Sequence, residues 1–302
     1  MSDVAVRGDV ASLVRHRDAI LVVLAAVCER YLPGLRPPVG EAIRYGLMGE
    51  GKRMRGILFL SAYEAAAGTH DAALLGASIE VVHAYSLVHD DLPCMDDDEF
   101  RRGRPTTHRV YGVAAATAAG LAMVPLAARC AADGARQLGL SETEVGIIVA
   151  ELMRASGAGG MIGGQLLDLE GEGRALSLDE LERIHRAKTG ALITAAATLG
   201  GRAARASTER LDALALYGQA VGLAFQIADD VLDVTATTDQ LGKTAGRDLD
   251  LQKGTYPSLL GIDGARHRAA ALIDEGCRAL DDVGLLTPDL AQIARFTVER
   301  TS

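Results

Sequence analysis

Two acidic clusters, each beside or within an apolar stretch of helical period, constrain this chain more than anything else in it. Six carboxylates fall between Asp90 and Glu99, and Arg101, Arg102 and Arg104 follow at once. So many acids in so short a span repel one another unless a cation sits among them. Hard divalent ions such as Mg²⁺ take oxygen ligands and are held by one or two carboxylates together with substrate phosphates. Arginine is suited to gripping phosphate oxygens bidentately. The second cluster, Asp229-Asp230-Val231-Leu232-Asp233, puts Asp229 and Asp233 on one face of a helix, where unpaired like charges again ask for a cation. Ahead of both lies Gly51-Lys52-Arg53-Met54-Arg55, a basic pocket for an anion. Two acid and two basic clusters suit two diphosphate-bearing substrates, one carried on metal. The plain alternative for any one run is a solvated charged face.

A fold that uses both acid clusters must bring them face to face. That favours one domain over residues 1–302, although this length would allow two. No Pro/Ser-rich linker, repeat or low-complexity block suggests a break. Ala- and Leu-rich segments with few aromatics and no alternating β-branched runs predict an all-α protein. The net charge of −9 argues against nucleic acid, which needs a basic face. Cys28, Cys94, Cys130 and Cys277 form no Cys-x-x-Cys pair, so neither a zinc site nor a disulfide framework is expected. No basic stretch precedes an apolar run at the N-terminus, so a cytoplasmic protein is expected. Val110 to Ala128 carries no charge and has the length of a membrane span. Its Ala, Gly and Thr content, Pro125 and flanking arginines favour a buried or subunit-interface helix instead. The expectation is a homodimer joined there, without stable membrane insertion.

The periodicity predicts helices over 11–32, a short one through Met48, and 57–67. A central helix over 71–92 buries Leu74, Ile79, Val82 and Leu87 and is interrupted by Pro93. Further helices are expected near 107–137, 142–156, 159–170, 178–199, 208–234, 264–282 and 288–300. Ser177 and Glu180 form a capping box for one of them. The polar stretch 235–256, with Lys243, Arg247, Asp248 and Lys253, reads as a lid over the site.

The ordered motifs resemble a family: the short-chain trans-isoprenyl diphosphate synthases, of the farnesyl and geranylgeranyl diphosphate synthase group. The resemblance rests on Asp90-Asp91-Leu92-Pro93-Cys94-Met95-Asp96 with Arg101-Arg102-Gly103-Arg104-Pro105-Thr106, and on Asp229 to Asp233. It extends to Gly51–Arg55, Gly163-Gly164-Gln165, Lys188-Thr189-Gly190, Gly242–Asp248 and Lys253–Pro257. It implies an isoprenoid-synthase-type bundle of about ten or more helices around a central cavity. It also implies head-to-tail condensation of isopentenyl diphosphate with an allylic diphosphate on three Mg²⁺ ions. Asp90, Asp96 and Asp229 would be the direct ligands, with Asp91 and Asp233 close by or acting through water. Arg101, Lys188 and Lys243 would hold the allylic diphosphate, and Lys52, Arg55, His83 and Arg102 isopentenyl diphosphate, with Lys253 also at the site. Thr189 and Gln226 would orient dipoles toward the carbocation. Tyr85, with Ser86 beside it, would set chain length. The implied product is farnesyl diphosphate, with geranylgeranyl or geranyl diphosphate as alternatives.

Two departures from the family pattern stand out. Gly56 replaces the usual Pro and is expected to loosen the following helix start. Leu121 replaces an Asp, and is expected to lower activity or reshape the pocket. A class I terpene cyclase and a non-catalytic regulatory subunit are the rival readings. The second Asp-Asp-x-x-Asp and the basic pocket speak against the first, and intact aspartates against the second.

Overall fold

Apolar helical segments punctuated by glycine and proline become helices almost throughout. The computed structural model describes residues 3–171, 173, 174, 176–235 and 254–299. In order, it contains α1 (Asp3–Tyr31), α2 (Val39–Leu47), α3 (Met54–Ala65) and α4 (Ala73–Asp90). A two-stranded antiparallel hairpin follows, β1 (Phe100–Arg101) and β2 (Arg104–Pro105). Then come α5 (Thr107–Tyr111), α6 (Val113–Gln137), α7 (Glu142–Ser156), α8 (Met161–Gly171) and α9 (Leu178–His185). A π-helical turn, Arg186–Gly190, leads into α10 (Ala191–Ala203) and α11 (Thr208–Thr235). The last described helices are α12 (Tyr256–Asp282) and α13 (Pro288–Glu299). The fold is all-α, as expected.

α4 is the central helix. Leu75, Ala77, Ile79 and Val81 have no exposed surface, and α1, α2, α3 and α6 pack around it. Leu74 and Leu87, expected in the core, are only half-buried, because α4 turns those positions toward its less crowded sides. α10 packs against both α3 and α11, and α11 lies along α12. This strut joins the half carrying the first acid cluster to the half carrying the second. One apolar cluster runs continuously from α1 to α13.

Several boundaries differ from expectation for identifiable reasons. The 107–137 segment is split at Gly112, whose φ of 85° only glycine adopts without strain. α4 stops at Asp90, ahead of Pro93. α12 starts at Tyr256 because Thr255 and Ser258 form a capping box, and it kinks at Gly261 (φ 71°). The Ser177–Glu180 box is present, and Ser141–Glu144 makes another that caps α7. Gly56 does not loosen α3. A side-chain carbon there would come within 3.0 Å of Ile20 and 3.2 Å of Glu80, so the missing Cβ lets three helices close together.

Val113–Gln137, Glu142–Gly171 and Thr208–Thr235 are each long and apolar enough to cross a membrane by length and composition. The last carries Asp229, Asp230 and Asp233. On α6, Leu121 points outward with 63% of its surface exposed, so it does not line a pocket as expected.

Candidate active site

The first acid cluster is built by the end of α4 and the turn after it. Asp90 is the last residue of α4, and Asp233 lies in the last turn of α11. Negative charge at a helix C-terminus is disfavoured by about 0.3–1 kcal/mol, so both positions favour a cation nearby. Beyond Asp90, the Met95 and Asp97 amides donate to the Leu92 carbonyl and the Asp96 amide to the Asp90 carbonyl, at 2.8, 3.1 and 2.8 Å. The Pro93-Cys94 pair is thereby looped out, and Asp96 is folded back toward Asp90. Burial pushes the Asp90 carboxyl up to about 6, with Asp96 and Asp91 adding to the rise and Lys188 and Arg101 opposing it.

Asp91, one residue on, turns inward with 4% of its surface exposed. The β1–β2 hairpin carries Arg101 back to it, and Arg101 Nε donates to Asp91 Oδ1 at 2.6 Å and its Nη2 to Asp98 Oδ2 at 3.4 Å. Asp91 is therefore engaged with Arg101. Glu99 pairs with Arg109 at 3.2 Å, and Cys94 is an exposed free thiol.

The basic pocket forms where α3 begins. Arg53 caps the helix in a left-handed conformation (φ 53°), is buried, and donates to the Gly49 carbonyl. Arg55 Nε is buried with no hydrogen-bond partner among the described residues. Arg102 donates to the Glu50 carbonyl, and Lys52 lies over the Phe296 ring of α13 at 5.1 Å. Burial, then Arg55, Arg102, Arg101 and Arg53, push His83 well below its ordinary value, so it stays neutral and presents one N–H donor. Burial also lowers Arg55 and Arg102. Asp229 acts electrostatically on Arg55, so the second acid cluster borders this pocket. A buried guanidinium N–H among like charges is a donor that an anion would satisfy.

The π-helical turn carries Lys188 and Thr189. Two glycines let neighbouring backbones clamp it. A Cβ on Gly164 of α8 would lie 2.1 Å from Lys188 N, and one on Gly222 of α11 would lie 2.8 Å from Gly190 Cα. Such turns concentrate at functional sites. Lys188 Nζ donates to Asp168 Oδ2 at 2.6 Å. Thr189 Oγ1 donates to Gln226 Oε1 at 3.0 Å, and Gln226 Nε2 to Asp230 Oδ1 at 3.4 Å. Asp230 is 3% exposed; its other oxygen accepts the Tyr256 N–H at 3.0 Å and lies 3.6 Å from His185 Nε2. Gln165 is buried, and neither end of its amide has a partner among the described residues.

Tyr85 is buried and meets the His89 ring edge-on at 5.5 Å, while His89 Nε2 lies 3.1 Å from the Thr117 carbonyl of α6. Ser86 Oγ bonds back to the His83 carbonyl at 2.8 Å. Lys243 and Lys253, with most of the 235–256 stretch expected to form a lid, lie outside the described residues. Sequence reasoning missed Asp168, Glu80, Arg53 and Asp230. The first two carried a signal, since Asp168 follows Gln165 and Glu80 precedes His83 by three residues, one helix face in each case.

The donor set is all carboxylate oxygen, the chemistry of a hard divalent cation. Asp90, Asp96, Asp229 and Asp233 offer donors of that type.

An all-α bundle with one acid cluster at the end of α4 and a second in the last turns of α11 has the isoprenoid synthase architecture. The chain belongs to the polyprenyl synthetase family, which it matches over residues 36–282, and is a prenyltransferase. It is 44% identical over 274 residues to farnesyl diphosphate synthase of Escherichia coli K12, covering 89% of this chain and 91% of that protein. It is 38% identical over 289 residues to the farnesyl diphosphate synthase of Micrococcus luteus, covering 95% and 98%. Among solved structures, a geranylgeranyl pyrophosphate synthetase from Pyrococcus horikoshii superimposes with a TM-score of 0.82 at 29% identity, covering 97% of this chain and 99% of that one. An FPP/GFPP synthase from Zymomonas mobilis does so at 0.79 and 33% identity, with the same coverage.

Proposed function

We propose that this chain condenses isopentenyl diphosphate with an allylic diphosphate, head to tail, to give farnesyl diphosphate. The observation that carries the reading is the buried Arg55 Nε, without a partner among the described residues and close to Arg102 and His83, with Asp229 of the second acid cluster acting on the same side chain. Two full-length relatives bear the name farnesyl diphosphate synthase, which favours the fifteen-carbon product.

Lys52, Arg55, His83 and Arg102 hold isopentenyl diphosphate. Arg101, Lys188 and Lys243 hold the allylic diphosphate, with Arg101 oriented by Asp91 and Lys188 by Asp168. Asp90, Asp96, Asp229 and Asp233 would hold Mg²⁺, which would supply Lewis acidity toward the leaving diphosphate. The allylic C–O bond breaks, leaving a carbocation and diphosphate. The Thr189 hydroxyl, fixed by Gln226, presents its oxygen dipole to that cation. The isopentenyl double bond attacks, a C–C bond forms, and the proton released goes to the departed diphosphate. No protein base is needed.

Incubation with labelled isopentenyl diphosphate, geranyl diphosphate and Mg²⁺ should yield a fifteen-carbon diphosphate. A cyclised hydrocarbon, or no turnover, would overturn the reading. The protein works in the cytoplasm as a homodimer through the outer face of α6, where Val113 and Leu121 are exposed. Light scattering should give twice the 31.6 kDa chain mass, and Leu121→Asp should return it to one.

A further inference from the structure

Glu80 is a buried carboxylate that the condensation does not use. It keeps 2% of its surface on α4, three residues before His83 and so on the same face as that side chain. Its Oε1 accepts the Gly56 N–H at 2.9 Å, and its Oε2 lies 4.0 Å from Arg53 Nη1. Gly56 is the third residue of α3, where backbone N–H groups have no partner within the helix. α3 has no side-chain cap of its own and no acid in its first turn. Glu80 therefore caps α3 from a neighbouring helix. The closeness depends on glycine, since a Cβ at position 56 would stand 3.2 Å from Glu80 Cγ.

The charges around it complete the picture. Arg53, Arg55 and Arg102 crowd together, and burial makes the charge of each costlier to hold there. Glu80 is the negative group whose field reaches all three. Without it, neighbouring guanidinium groups would repel one another and the turn from Lys52 to Arg55 would lose its anchor. A pocket organised before its ligand arrives loses less ordering entropy on binding.

We propose that Glu80 is a positioning residue for the isopentenyl diphosphate pocket: through the Gly56 N–H and Arg53 it holds Arg55 and Arg102 in place, without touching substrate. This rests on the assignment of that pocket above. Glu80→Gln keeps the shape and an acceptor for Gly56 but removes the charge. It should raise KM for isopentenyl diphosphate about tenfold while KM for the allylic substrate and kcat stay within about twofold. Glu80→Asp, which keeps the charge, should recover most of the loss. Arg55→Gln, measured alongside, tests the pocket itself. A raised isopentenyl KM in Arg55→Gln with none in Glu80→Gln overturns the role of Glu80 and leaves the pocket standing. Unchanged values in both overturn the pocket and this inference together. A lowered KM in Glu80→Gln, or equal rises for both substrates, also overturns it, since the first marks a plain field effect and the second a general loss of structure.

Discussion

The two acid clusters share a spelling, Asp-Asp, and divide its labour in the same way. Asp90 and Asp229 are half-buried, and each acts on a basic group of the site, Lys188 for the first and Arg55 for the second. Asp91 and Asp230 are buried, with 4% and 3% exposed, and bond to protein groups instead. Successive residues on a helix are about 100° apart, so one aspartate of a pair keeps some exposure while the next is buried against the protein. The clusters differ in what the inward aspartate holds. Asp91 holds a side chain, Arg101, brought back by a hairpin; Asp230 holds backbone, the N–H that opens α12, together with Gln226. The first arrangement orients the Arg101 guanidinium, and the second fixes where α12 begins.

Replacing the outward pair should break this symmetry most visibly. Asp90→Ala or Asp229→Ala is expected to lower kcat by about 10³-fold at saturating Mg²⁺, with an unchanged circular dichroism spectrum. Near-wild-type rates in either variant would remove that residue from the metal site.

The inward pair should separate by stability. Asp230→Ala leaves the Tyr256 N–H and the Gln226 amide without a buried acceptor and should cost about 2–3 kcal/mol in denaturant unfolding. Asp91→Ala leaves Arg101, which is 31% exposed and still meets Asp98, so about 1 kcal/mol is expected, with a raised KM for the allylic substrate. Equal costs for the two would show that the hairpin contact is as structural as the α12 anchor.

The smallest effect on rate, and the clearest on product, concerns Tyr85, packed against His89 five residues before Asp90 on α4. Tyr85→Ala should shift product from fifteen toward twenty carbons with kcat changed by no more than about threefold, as read by chromatography of the dephosphorylated alcohols. An unchanged product distribution would move the chain-length stop to another residue.

What the sequence determined by itself follows from short-range rules. Helical period, glycine and proline punctuation and the Ser177–Glu180 box placed most helices, because each depends on residues within about four positions of one another. The acid clusters, the basic turn and Lys188-Thr189 were legible for the same reason: charge crowded into a few residues has to be compensated, whatever the fold. Tertiary structure alone decided which member of each Asp-Asp pair is buried, since that depends on what packs against α4 and α11. It also decided that Leu121 lies outside and that Gly56 joins α3 to Glu80. The partnerships of Lys188 with Asp168, twenty residues away, and of Asp230 with Tyr256, twenty-six away, likewise had no local signature. A contact between distant segments is fixed by the packing of whole helices, and a linear sequence shows the two partners without the geometry that joins them.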